Sequence, residues 1–185
     1  MEVFSLIPMK GLRASEVAEL NLRYKGLGPA EAQVIGSLAG VSASLTSLDV
    51  GGNNIGKEAA LALVSIFKEK DQMQSVSLAG CDLGVDEAKA VADYVSVSGS
   101  LTKLDVRYNT GIEGGAAEQL AAAVLANVTI EVFNEIPIKE LRANSLTELD
   151  LSRSNDSRLL GSIVGSATGL TDELACPLVL RVAVA

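Results

Sequence analysis

Apolar positions along this chain follow the order L-x-x-L-x-L-x-x-N/C-x-L, and the pattern restarts every 28 residues, at Val17, Leu45, Met73 and Leu101. The four matches read Val17-Leu20-Leu22-Lys25-Leu27, Leu45-Leu48-Val50-Asn53-Ile55, Met73-Val76-Leu78-Cys81-Leu83 and Leu101-Leu104-Val106-Asn109-Ile112. The last has one inserted residue before its final apolar position. Within each match apolar and polar residues first alternate, as in Leu48-Asp49-Val50 and Leu104-Asp105-Val106, which predicts a short strand with one buried face. A turn holding Asn53, Cys81 or Asn109 follows, where a buried polar side chain can bond backbone groups that the turn leaves free. Lys25 stands at that place in the first full repeat and predicts an irregular or partly open turn there.

The second half of each unit changes to a helical period. Ala60, Leu63, Val64 and Phe67 stand at i, i+3, i+4 and i+7, and the equivalent positions hold Ala32, Ile35, Gly36 and Ala39, then Ala88, Val91, Ala92 and Val95, then Ala117, Leu120, Ala121 and Val124. The Ala32-Ala60-Ala88-Ala117 column predicts helices lying close against the strand layer. A unit of one strand and one helix cannot bury its apolar face alone, whereas stacked units can. Helices are about 10 Å wide and strands only about 4.8 Å apart, so the helices must take the outer side of an arc.

A longer period lies beneath the first. Residues 3–23 match residues 132–152 at an offset of 129, with 11 of 21 positions identical, among them Ile7/Ile136, Pro8/Pro137, Leu12/Leu141 and Arg13/Arg142. That offset is four long units and one short unit of 17, which predicts a Pro-containing turn without room for a helix. The expected array spans 1–153: a short turn over 1–16, four repeats of 28 or 29 residues over 17–129, a second short turn over 130–145 and a partial repeat over 146–153. Residues 154–185 break the pattern and are expected to form a degenerate cap, a helix followed by a strand over 178–184, or a poorly ordered tail. The opening inside a short turn resembles an excerpt of a longer array.

Composition narrows the function. The chain is 48% hydrophobic but 3% aromatic, which suits a core of many small aliphatic layers. A net charge of -8 argues against nucleic acid, because phosphates need a basic patch. There is no histidine, so general acid-base and metal chemistry lose their commonest side chain. Cys81 and Cys176 have neither a disulfide framework nor a metal spacing, and Cys81 reads as a buried packing residue. The N-terminus lacks a secretory pattern, and the apolar run near 176–185 is too short to span a bilayer. The expectation is a soluble intracellular, cytoplasmic protein with no cofactor, no metal, no membrane and no nucleic-acid partner.

The motifs LTSLDVGGNNIG (45–56), MQSVSLAGCDLG (73–84) and LTKLDVRYNTGI (101–112), with the helical stretches between them, resemble the ribonuclease-inhibitor-like subfamily of leucine-rich repeat proteins. Leucine-rich regions of NOD-like receptors and Ran GTPase-activating proteins share this 28-residue unit. The resemblance covers roughly residues 17–153. It implies an α/β fold, a right-handed leucine-rich repeat solenoid (horseshoe) with parallel strands on the concave face and helices on the convex face. It also implies a non-catalytic protein-protein interaction module, with a Ran-type GTPase-activating regulator or a fragment of a longer receptor-like protein as alternatives. No G-x-x-x-x-G-K-[ST] motif is present, which excludes a complete nucleotide-dependent receptor.

Residues alternating with the buried leucines point into the expected concavity. The rows read Glu19-Ser47-Ser75-Lys103, Asn21-Asp49-Ser77-Asp105 and Arg23-Gly51-Ala79-Arg107, and a fifth strand adds Glu148, Asp150 and Ser152. Tyr24 and Tyr108 follow the strands, with Gly52 and Gly80 in equivalent places between them. The repeated Arg23-Tyr24 and Arg107-Tyr108 pairs predict two anchors for a protein partner around a smooth saddle, since Arg and Tyr are enriched at binding hot spots.

Overall fold

The computed structural model describes residues 7–143, 145, 148–150 and 179–181. In chain order the elements are α1 (Met9–Arg13), β1 (Glu19–Asn21), α2 (Pro29–Val41), β2 (Ser47–Asp49), α3 (Lys57–Lys70), β3 (Ser75–Ser77), α4 (Val85–Val97), β4 (Lys103–Asp105) and α5 (Gly114–Ala126). Then come β5 (Val132–Phe133), β6 (Ile136–Pro137), α6 (Ile138–Arg142), β7 (Glu148–Asp150) and β8 (Val179–Arg181). Strands β1 to β5 pair in parallel, each with its successor, and β1 to β4 do so in one register: Leu20 meets Leu48, Leu48 meets Val76, and Val76 meets Leu104. Helices α2 to α5 pack side by side in the same order. All four helical stripes face inward: Ala32, Ala60, Ala88 and Ala117 are each at most 2% exposed. The fold is therefore an α/β repeat solenoid, with one continuous aliphatic core between strand layer and helix layer.

Two expectations need correction. The short units are not bare turns: each carries a five-residue helix, α1 or α6, and the second also carries a hairpin. That hairpin makes β6 antiparallel to β5, because Asn134 and Glu135 both adopt positive φ (51° and 67°), the geometry of a two-residue hairpin turn. Strand β7 pairs in parallel with β8, in a two-stranded sheet separate from the six-stranded one. The strand expected within 178–184 thus falls at Val179–Arg181, while the other expectations for 154–185, and Ser152 and Cys176, lie outside the described residues.

The turns after the strands are closed by asparagines that reach backwards. Asn53 Oδ1 accepts the backbone N–H groups of Lys25 and Leu27, both at 3.0 Å, in the preceding repeat. Its Nδ2 donates to the carbonyls of Leu22 and Val50 at 2.9 and 2.7 Å. Asn109 does the same one step on, accepting from Cys81 and Leu83 at 3.0 Å and donating to Leu78 and Val106. The turn at Lys25 is therefore regular, not open: its Asn comes from the next repeat, and the Lys25 side chain faces solvent. Cys81 serves the middle position with its Sγ donating to the Val50 carbonyl.

The opposite ends of the helices are sealed in a related way. Gln72 Nε2 donates to the carbonyls of Ser42 and Leu45, and Asn127 Nδ2 donates to those of Val95 and Ser98. Arg142 then closes the end of α5, its guanidinium donating to the carbonyls of Val124, Leu125, Asn127 and Ile130. Val95, Val124 and Leu125 are among the last carbonyls that a helix leaves unpaired, and the others lie at or just past the helix ends. Glu31 and Glu87 act at the other pole, each accepting the N–H of the glycine that starts its helix, at 3.0 and 2.8 Å.

Candidate protein-binding face

The in-phase register turns three sequence positions of each strand into rows across the sheet. Glu19, Ser47, Ser75 and Lys103 form one row, and Asn21, Asp49, Ser77 and Asp105 the next. With Arg23, Arg107 and Glu135 they line a shallow cavity of about 280 Å³ on the strand side. Eight of the expected site residues meet there: Glu19, Asn21, Arg23, Asp49, Ser77, Lys103, Asp105 and Arg107. Glu148 and Asp150 fall on β7, in the other sheet.

Several of these side chains already have structural work. Asn21, Asp49 and Asp105 each accept the backbone N–H two residues on, from Arg23, Gly51 and Arg107, which shapes the chain as it leaves the strand. Ser77 occupies the same row, yet its hydroxyl is buried and has no partner among the described residues.

The two Arg-Tyr pairs are alike in placement and unlike in chemistry. Arg23 stacks over the Tyr24 ring at 5.0 Å from its centroid, bonds its hydroxyl at 3.4 Å and lies 3.7 Å from Asp49. Arg107 lies 5.6 Å from the Tyr108 centroid but is held by carboxylates: Asp105 at 2.9 and 2.8 Å, and Glu135 at 2.5 Å. Hydrogen bonding to Asp105, and then to Glu135, raises its pKa above the ordinary arginine value against the cost of burial. Arg107 is only 8% exposed, so it braces the end of β4 and does not stand free as an anchor; this corrects the two-anchor expectation. Removing it strands the buried Asp105 carboxylate. Arg107→Ala is expected to cost about 3 kcal/mol in denaturant unfolding, whereas Arg23→Ala, in a half-exposed pair, should cost under about 1 kcal/mol. Equal losses for the two variants would show that the triad does not brace the strand.

Tyr24 and Tyr108 stand on the rim, exposed and at positive φ (55° and 62°) where the intervening repeats have Gly52 and Gly80. The Tyr24 ring lies over Gly52, so a Cβ there would come within 2.1 Å of it. Glycine at 52 thus serves both its own left-handed backbone and the seating of the neighbouring ring. Glu135 is the residue of this face that sequence reasoning missed. The signal was present: Asn134-Glu135 separates the apolar pairs Val132-Phe133 and Ile136-Pro137 by the two residues of a hairpin loop.

Cys81 is buried, and burial pushes its thiol pKa up to about 11, which disfavours a reactive role. Among the described residues no group of three His, Cys, Asp or Glu side chains is arranged to hold a metal ion, and no helix is long and apolar enough to cross a membrane.

Known proteins share this architecture. The Leucine Rich repeat family profile matches residues 41–64, which run from the end of α2 through β2 into α3. Among solved structures, the chain is similar to one described as Leiomodin-1 Actin-Binding Site 2 (ABS2), with a TM-score of 0.63 and 12% sequence identity, over 88% of this chain and 90% of that one. At that identity the likeness concerns the fold alone. Repeating sequence, in-phase parallel strands and both matches converge on one architecture, an α/β repeat solenoid with strands and helices alternating as in leucine-rich repeats.

Proposed function

We propose that this chain is a non-catalytic protein-protein interaction module of the ribonuclease-inhibitor-like kind, which seats a protein partner on its concave face. The observation that carries the reading is the polar concavity itself, most of whose charged side chains are held by hydrogen bonds or ion pairs. A surface ordered before contact loses little side-chain freedom on binding, which favours recognition by complementarity. The similar leiomodin structure is described as an actin-binding site, an instance of this scaffold presenting a protein-binding surface. The buried free thiol of Cys81 suits a reducing compartment such as the cytoplasm. No feature of the face favours the Ran-type regulator over a binding module.

The test is steric. Ser75→Trp places a large ring in the middle of the concavity, and Glu118→Trp places one on exposed α5. Partners captured by the wild-type chain are expected to be lost with Ser75→Trp and kept with Glu118→Trp. Retention of those partners by Ser75→Trp would rule out the concave face.

A further inference from the structure

We infer that the concave face takes an extended peptide laid across the strands, with a basic side chain over Glu19 and an acidic one over Lys103, about four residues apart. The inference rests on the reading of this face as the binding surface and specifies what it recognises. Most charges in the cavity answer one another: Arg23 lies beside Asp49, and Arg107 is bound by Asp105 and Glu135. Two remain. Glu19 and Lys103 are exposed and enter no ion pair among the described residues.

The strand register sets these two at opposite ends of a single row, Glu19-Ser47-Ser75-Lys103. Three strand spacings of about 4.8 Å separate them by roughly 14 Å, which an extended chain rising about 3.3 Å per residue covers in four residues. Between the charges, Ser47 and Ser75 present small half-buried hydroxyls that leave room for a backbone. Cavity size argues for the extended form. About 280 Å³ falls at the lower end of ligand pockets, while a helix with side chains is roughly 10–12 Å across.

A display library of random 12-residue peptides, selected on the purified wild-type chain, tests this. Enriched peptides are expected to carry Lys or Arg four residues from Asp or Glu. Either single reversal, Glu19→Lys or Lys103→Glu, should weaken a selected peptide roughly tenfold or more, because like charges then meet. A peptide whose acidic residue is changed to Lys should regain affinity for Lys103→Glu alone. Enriched peptides lacking the spacing, or indifferent to both reversals, overturn the charge pairing. If Ser75→Trp still abolishes their binding, the concave-face reading stands without it. Peptides that bind Ser75→Trp as well as wild type overturn that reading too, and a library that yields no enriched peptide overturns the inference.

Discussion

Asn109→Ala is expected to lower the unfolding free energy by about 4 kcal/mol or more. The side chain bonds the N–H groups of Cys81 and Leu83 and the carbonyls of Leu78 and Val106, all within a buried turn. Truncation leaves those groups buried without partners, and each such group costs about 1–3 kcal/mol. Asn53→Ala should fall in the same range, since Asn53 makes the equivalent bonds. Urea unfolding followed by circular dichroism measures both. Asn109→Asp separates the two halves of the bond set: a carboxylate keeps the acceptor role toward Cys81 and Leu83 but faces the Leu78 and Val106 carbonyls with no donor. Its loss should lie below that of alanine but well above zero. A loss under about 1 kcal/mol for Asn109→Ala would mean that the ladder contributes little.

Alkaline pH is expected to remove about 5 kcal/mol of stability between pH 9 and 12. Burial pushes the Cys81 thiol from an ordinary 9.0 up to about 11, and the Tyr94 phenol from 10.0 up to about 12. Both are acids whose neutral form the folded state favours. Their contribution is complete below the unfolded-state values, and it is lost as the pH climbs through those values towards the folded-state ones. In that window the unfolded chain binds fewer protons than the folded one, so stability falls with pH. Two units on each group correspond to roughly 3 kcal/mol apiece, the second not yet fully lost at pH 12. Stability measured from pH 8 to 12 should show the decline starting near 9 with wild type. Cys81→Ala should delay its onset to near 10, and Tyr94→Phe should reduce its depth. A flat profile through pH 12 would contradict the burial of both groups.

The strand and helix positions were legible because every repeat meets the same burial problem with the same residue types. Ala32, Ala60, Ala88 and Ala117 mark the helix face, and Leu20, Leu48, Val76 and Leu104 mark the strand face, so the concave rows followed by alternation alone. Contacts between units were harder to read. Asn53 was readable as a turn-former, but not as the partner of a turn 26 to 28 residues earlier, which is why Lys25 looked like a defect. The same holds for Arg107. Its partner Glu135 comes from the hairpin of a short unit that does not share the 28-residue period, and only the folded chain brings the two together. Sequence columns therefore located the face and overstated its symmetry.

The backward reach of the turn asparagines bears on how such an array changes its length. The bonds of the ladder that cross between repeats join each asparagine to the turn of the repeat before it, spanning 26, 28 or 31 residues. In-frame copying or excision of one 28-residue unit rejoins a like donor to a like acceptor, wherever within the unit the crossover falls. An insertion or deletion that changes the spacing between an asparagine and the turn it closes strands buried amides. Hydrogen bonding thus favours length changes by whole repeats within the stretch that the asparagines join.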